Sequence, residues 1–204
     1  MDWSEIDDLL NSQIRKKTDL LTGYEQIEKL LSVNNLPIVE ININGLLEKF
    51  KGWLVEVLEK EPIPIGIKSI YFGLSEVSFP DVDNGQSKTA VYIAGSSLLP
   101  SEDVDWACDP EYLPNRRYLL LDDFEKIDAI KIQNGLTGNY EVLVFNGILN
   151  LLVSQAMKEL KSQFLTYKSK KFGLLNVIKE REKLNFGAGF DSGDTYLIGE
   201  LKNE

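Results

Sequence analysis

The chain contains no histidine, and that single absence removes several classes of chemistry. Without imidazole there is no Ser-His-Asp or Cys-His nucleophile, no zinc-protease helix and no iron site built on two histidines and a carboxylate. Cysteine is almost as scarce. Cys108 is the only one, so an internal disulfide, a thiolate zinc site and an iron–sulfur cluster are all beyond a single chain. A lone thiol suits a reducing cytosol. No GxxxxGK[ST] phosphate loop occurs, and Gly187-Ala-Gly189 lacks the further glycine and following helix of a dinucleotide fingerprint. Acidic Asp2, Glu5, Asp7 and Asp8 stand where a secretory signal would be basic and then apolar. The longest uncharged apolar stretch, 142–157, is interrupted by Asn146, Asn150, Ser154 and Gln155, and falls short of the roughly 20 residues of a membrane crossing. The expectation is a cytoplasmic protein with no membrane partner, no metal and no cofactor.

Positive charge is also in short supply. Lys and Arg number 22 against 32 Asp and Glu, a net charge of −10, which argues against a binder of nucleic-acid backbones. It suits a basic partner, whose approach such a field accelerates. The excess is uneven. Nine acids and three cations fall between Glu102 and Asp128, whereas eight cations and three acids fall between Lys158 and Lys183. The two stretches either neutralise each other within the fold or leave an acidic contact surface opposite a basic back.

At 204 residues the chain suits one domain with a sizeable core. Trp3, Ile6, Leu10 and Ile14 recur at helical spacing. Gly23 is expected to end that helix, and Tyr24, Ile27, Leu30 and Leu31 mark a second. Residues 38–43 alternate as a short strand would. Asn44 then caps a helix with Leu46, Leu47, Phe50, Trp53, Leu54, Val57 and Leu58 on one face, closed by Pro62 and Pro64. From Ile67 the period changes to that of strands. A β run to Phe79, a turn-rich 80–87 and a second run from Thr89 to Ala94 make a hairpin. Arg117–Leu121 reads as a further strand, Asp122 or Asp123 opens a helix through Ile130, and the longest helix covers about 140–167. A last hairpin pairs 184–190 with 195–201. The class is α+β: a single domain, helical over 1–60 and sheet-containing over 66–204, with an antiparallel or mixed sheet built from hairpins and covered by helices.

The acidic loop LPSEDVDWACDPEYLP, residues 99–114, is the principal candidate site. Asp103, Asp105, Asp109 and Glu111 surround Trp106. As an interface, Trp106 is the aromatic anchor and the acids its charged surround. As a plain turn, the indole buries itself while the acids bond loop amides. As chemistry, Asp103 and Asp105 alternate and could face one way in an extended loop, as paired carboxylates of a hydrolase would. Asp191 and Asp194, in the turn Asp191-Ser-Gly-Asp194, form a secondary pair with the same ambiguity. Asp81-Val-Asp83-Asn-Gly85 is a poor calcium loop, with its glycine one place early and no closing acid. Cys108, among acids, is expected to be a small buried residue, and Trp53 and Trp3 to belong to the core.

Three pieces together carry a family likeness: Ile70-Tyr-Phe-Gly-Leu74 with Val91-Tyr-Ile-Ala-Gly-Ser96; Asp105-Trp-Ala-Cys108 before Tyr112 and Pro114; and Gly189-Phe-Asp-Ser-Gly-Asp194 with Tyr196. The pattern resembles bacterial immunity-type proteins that accompany polymorphic and contact-delivered toxins, and its terminal hairpin is similar to that of the SMI/KNR-type superfamily. The resemblance spans about 66–200 and brings no catalytic residue. It implies a non-enzymatic cytosolic protein that binds and inhibits a cognate, basic protein toxin. The alternatives are a carboxylate-dependent hydrolase using Asp103, Asp105 or the Asp191/Asp194 pair, and an interaction module whose acids have no specific role.

Overall fold

The computed structural model describes residues 1–78, 87–171, 175–191, 193 and 195–203. The turn at 80–86 with its Asp81–Asp83 pattern, and Asp194, lie outside the described residues.

Three helices open the chain: α1 (Trp3–Lys16), α2 (Leu20–Val33) and α3 (Ile43–Lys60). Asp2 caps α1 in a reciprocal box with Glu5, and the left-handed Lys17 stops it. The helix therefore ends before Gly23, which sits inside α2, whose cap is Asp19. Gly23 has a packing role there: a Cβ on it would lie 2.3 Å from Leu151 Cδ2. Residues 38–42 form no strand. Their alternation is that of a connector whose Val39 is buried and whose carbonyl accepts the Tyr24 hydroxyl at 2.8 Å. The cap of α3 is Asn42, not Asn44, since Asn42 Oδ1 accepts the Gly45 N–H at 3.1 Å. Trp3 is 41% exposed and Trp53 half-buried, so the first indole is not core and the second is only packed against it.

The expected hairpin is β1 (Ser69–Ser78) with β2 (Ser87–Ser96), and β3 (Tyr118–Leu120) adds to β2. Helix α4 (Asp122–Asn134) follows, its first turn bearing Asp122, Asp123 and Glu125, with Gly135 at φ 61° ending it. The long helix expected at 140–167 is shorter and segmented. A short α5 (Asn139–Glu141) runs through a π turn at Val142–Asn146 into α6 (Gly147–Glu159), and after a break at Leu160 comes α7 (Lys161–Leu165). The chain then turns into strand, because Thr166 and Tyr167 pair with Glu180 and Lys179: β4 (Thr166–Lys171) and β5 (Leu175–Glu180) form a separate two-stranded sheet in the basic segment. That hairpin has no counterpart in the sequence reading. The closing hairpin, β6 (Lys183–Phe190) with β7 (Thr195–Lys202), falls where the alternation puts it.

The main sheet is mixed, ordered β3-β2-β1-β6-β7, with β1 and β6 parallel and every other pair antiparallel. The helices cover one face. Ile70, Phe72, Val91, Ile93, Leu184 and Phe186 point into them, with Phe50 on Phe72 at 5.6 Å and Phe164 edge-on to Phe186 at 5.0 Å. The α+β expectation therefore holds, and one hydrophobic cluster runs from Ile6 to Leu201. The 139–159 stretch has the length and hydropathy of a membrane span, but 78% of its apolar window is buried inside the protein, as in a core helix.

That core helix carries a cost. Asn150 is 3% exposed, and neither its Oδ1 nor its Nδ2 has a hydrogen-bond partner. A buried polar group without a partner forfeits about 1–3 kcal/mol of solvation. Asn150→Leu, close in shape, should therefore stabilise the fold by about 1 kcal/mol. A higher urea midpoint at unchanged m-value is the expected reading; a lower midpoint would mean that a buried water satisfies the amide.

Candidate functional site

Strand alternation gives the sheet a second face, bearing Tyr71 and Gly73 from β1, Ala90, Tyr92 and Ala94 from β2, Tyr118 from β3 and Gly187 from β6. The acidic loop crosses this face. Trp106, 2% exposed, lies so close to Gly187 that a Cβ there would be 2.8 Å from Trp106 Cζ2. Its ring meets Tyr71 edge-on at 6.0 Å, Tyr71 meets Tyr92 at 5.9 Å, and Tyr92 meets Tyr118 at 5.9 Å. The Tyr92 ring fills the space that a side chain at Gly73 would need, since a Cβ would fall 1.9 Å from Tyr92 Cε1. At the end of the row the Arg117 guanidinium sits 4.9 Å over Tyr118.

Polar clasps hold the loop at both ends. Glu111 accepts the Ser97 N–H at 2.8 Å and the Ser97 hydroxyl. Glu102 accepts the Leu99 N–H at 3.0 Å and pairs with Lys68 at 3.4 Å. Tyr112 exchanges backbone bonds with Gly95 at 2.9 and 3.0 Å, and its hydroxyl donates to the Glu61 carbonyl at 2.6 Å. The Glu61 carboxylate takes the Asn115 N–H at 2.8 Å and the Arg116 N–H at 3.3 Å. Trp53 Nε1 donates to the Arg116 carbonyl at 3.0 Å. These donors stabilise the carboxylates. Ser97 lowers the Glu111 pKa, the Leu99 amide that of Glu102 and the Asn115 amide that of Glu61.

The predicted residues thus divide. Trp106 is an anchor buried under the loop, so it does not itself offer a contact surface. Glu111 is exposed but committed to Ser97. Asp103 is exposed, and its Oδ1 accepts the Asp105 N–H at 2.8 Å; the segment is a tight turn and not the extended run that would align Asp103 with Asp105. Asp105 and Asp109 are exposed, and among the described residues neither carboxylate has a hydrogen-bond or ion-pair partner. Cys108 is exposed, contrary to expectation, because the turn that sinks Trp106 lifts its neighbour out. Asp191 is exposed beside the tyrosines.

Between loop and sheet lies a hollow of ≈ 380 Å³ whose walls include Tyr71, Tyr92, Tyr118, Arg117, Cys108 and Asp191. Burial, reinforced by Asp191, raises the Tyr71 and Tyr92 pKa values, so both phenols stay protonated at neutral pH. Among the described residues the hollow therefore offers neutral phenols, of which Tyr71 already donates its hydroxyl to the Phe190 carbonyl at 3.0 Å, with the Arg117 cation and the Asp191 carboxylate. Among the described residues no group of three His, Cys, Asp or Glu side chains is placed to hold a metal ion. The tyrosine row escaped sequence reasoning, though it had a signal: Gly73 and Gly187 inside strands, where glycine marks a close approach. No protein-family model, curated protein or solved structure matches the chain.

Trp106→Ala should cost about 3–5 kcal/mol, the usual penalty for emptying a buried indole site, read as a lowered urea midpoint. Loss below about 1 kcal/mol would mean that the loop is held by its clasps alone. Acid should release those clasps. Because folding depresses the three glutamate pKa values, their contribution is present above the ordinary glutamate value of about 4.3 and is lost as pH falls through the folded values. With Trp3 and Trp53 replaced by Phe, Trp106 emission should shift to the red below about pH 4, ahead of the loss of far-UV signal. Simultaneous loss of both signals would show that the loop does not open separately.

Proposed function

We propose that this chain is a non-enzymatic binding protein of the immunity type, which holds and inhibits a basic protein toxin in the bacterial cytoplasm. The observation that carries the reading is the firmly seated loop, which commits Glu102 to the Leu99 amide and Glu111 to Ser97, while Asp105 and Asp109 are exposed and have no partner among the described residues. Preorganised charge of this kind favours association, since little ordering cost remains. Beside it the tyrosine-lined hollow offers amphipathic rings of the sort that dominate binding surfaces. The absence of histidine and the net charge of −10 support the same reading, as does the family resemblance of 66–200.

The hydrolase alternative has one supporting observation, the Asp191 carboxylate near the Tyr92 hydroxyl. It has less behind it, because Asp103 lies on the outer side of a tight turn and bonds its own loop.

The test is direct binding to candidate basic proteins, beginning with the product of the adjacent gene. Asp103→Lys with Asp105→Lys should weaken the complex at least about tenfold, equivalent to about 1.4 kcal/mol, and flatten its salt dependence. The melting temperature should move little, since both sites are exposed and the one bond lost is the exposed turn bond from the Asp105 N–H to Asp103, worth about 0.5–1.5 kcal/mol. Unchanged affinity in the double variant removes the loop from the interface.

A further inference from the structure

β7 is the last strand of the sheet, and its outer edge is open. The β1–β6 ladder fixes which groups face outward. Asn185 N–H donates to the Lys68 carbonyl at 3.0 Å and Asp191 N–H to the Leu74 carbonyl at 3.1 Å, so odd-numbered residues of β6 turn toward β1. The even residues Phe186 and Ala188 then bond β7 through their partners Gly199 and Tyr196. Thr195 and Leu197 consequently point their N–H and C=O groups away from the sheet. Among the described residues nothing bonds these four groups. A bulge opposite Phe186/Gly187 ends the regular edge just beyond Leu197.

The open edge lines a groove of ≈ 660 Å³. One wall is α1, which contributes Asp7 and, one turn on, Asn11; the other is the acidic loop, with Val104 and Asp105. Leu197 is 55% exposed and Val104 88% exposed, so the groove also has apolar surface to cover. Asp7 and Asp105 have no ion-pair partner among the described residues. A second copy of this chain would bring the same carboxylates against these, which disfavours self-pairing. A cation-bearing strand would meet two unpaired carboxylates and a ready backbone edge.

We infer that the β7 edge at Thr195 and Leu197 accepts an extended, lysine- or arginine-bearing segment of a partner protein as an added strand. Backbone bonds to Thr195 and Leu197 set its register, Asp7 and Asp105 receive its cations, and Leu197 and Val104 cover its apolar side chains. The inference rests on the proposed binding role for the partner being basic, and adds where and how that partner docks.

The probe is the capped peptide Lys-Val-Lys-Val-Lys-Val-Lys, compared with a version N-methylated at every second amide, which keeps the charge and cannot pair. At low salt the first should bind and slow hydrogen exchange at the Thr195 and Leu197 amides, and the methylated form should bind at least about tenfold more weakly. Leu197→Pro, which removes an outward N–H and spares the β6 ladder, should abolish the difference; if that variant fails to fold, the methylated peptide carries the comparison alone. Equal binding of both peptides would overturn strand addition while leaving the acidic binding role intact. No binding of either would also overturn it, and Asp109→Lys, at an exposed loop carboxylate that does not line this groove, judges the acidic binding role separately through the affinity for the basic partner. Protection of the two amides without peptide, in a concentration-dependent dimer, would overturn it by assigning the edge to a second copy.

Discussion

A five-stranded sheet has two faces, and the helices of this chain cover only one. The other is closed by a row of rings seated on glycines: Trp106 over Gly187 and Tyr92 over Gly73, joined through Tyr71. An indole removes on the order of 150–250 Å² from water, about 4–6 kcal/mol of apolar transfer, and it can do so here only because the strand beneath has no side chain. That contact converts a loop crowded with carboxylates into a fixed part of the fold. Without it, mutual repulsion among Glu102, Asp103, Asp105, Asp109 and Glu111 would favour an open, solvated segment.

The acids in and beside the loop then serve two purposes. Glu102 and Glu111 in the loop, with Glu61 at the end of α3, accept amide and hydroxyl hydrogens and close the ends of the loop, while Asp103 accepts the Asp105 N–H within it. The shorter aspartates stay at its outer surface, where Asp105 and Asp109 have no partner among the described residues. The ion pairs also bear on whether the described cations of the 158–183 stretch neutralise this charge. Among the described residues the one ion pair of the 102–111 segment is Lys68 with Glu102. Among the described residues the remaining acids of that segment have no ion-pair partner.

Much of this architecture was legible in the sequence because its cues are local. The alternation around Tyr71 and Tyr92, the Asp122 helix start and the terminal hairpin each depend on neighbours in the chain. The errors arose where distant partners decide. Gly23 reads as a helix break, but Leu151 needs its bare Cα. Residues 166 and 167 extend an apolar helical pattern, but pairing with Lys179 and Glu180 makes them strand. The site was half legible. Its acids and Trp106 stand in one stretch, whereas the tyrosine row draws on three strands from residues 71 to 118 and is visible only once the register is known.

Open strand edges are hazards, because any other edge can pair with them, and proteins commonly guard them with lysines, bulges or covering segments. Here the register break opposite Phe186/Gly187 limits β7 beyond Leu197, and Glu200 with Lys202, 2.5 Å apart, marks its far end. The stretch before the bulge is guarded differently, by Asp7 and Asp105 on either side. Carboxylates repel a second copy of this acidic chain as effectively as lysines would repel a basic one. They differ from lysines in what they admit: a cationic strand gains at the place where an identical molecule loses. One arrangement of charge thus disfavours pairing with an identical chain and favours a cationic strand, and it does so only while Trp106 holds the loop that carries Asp105 beside the edge.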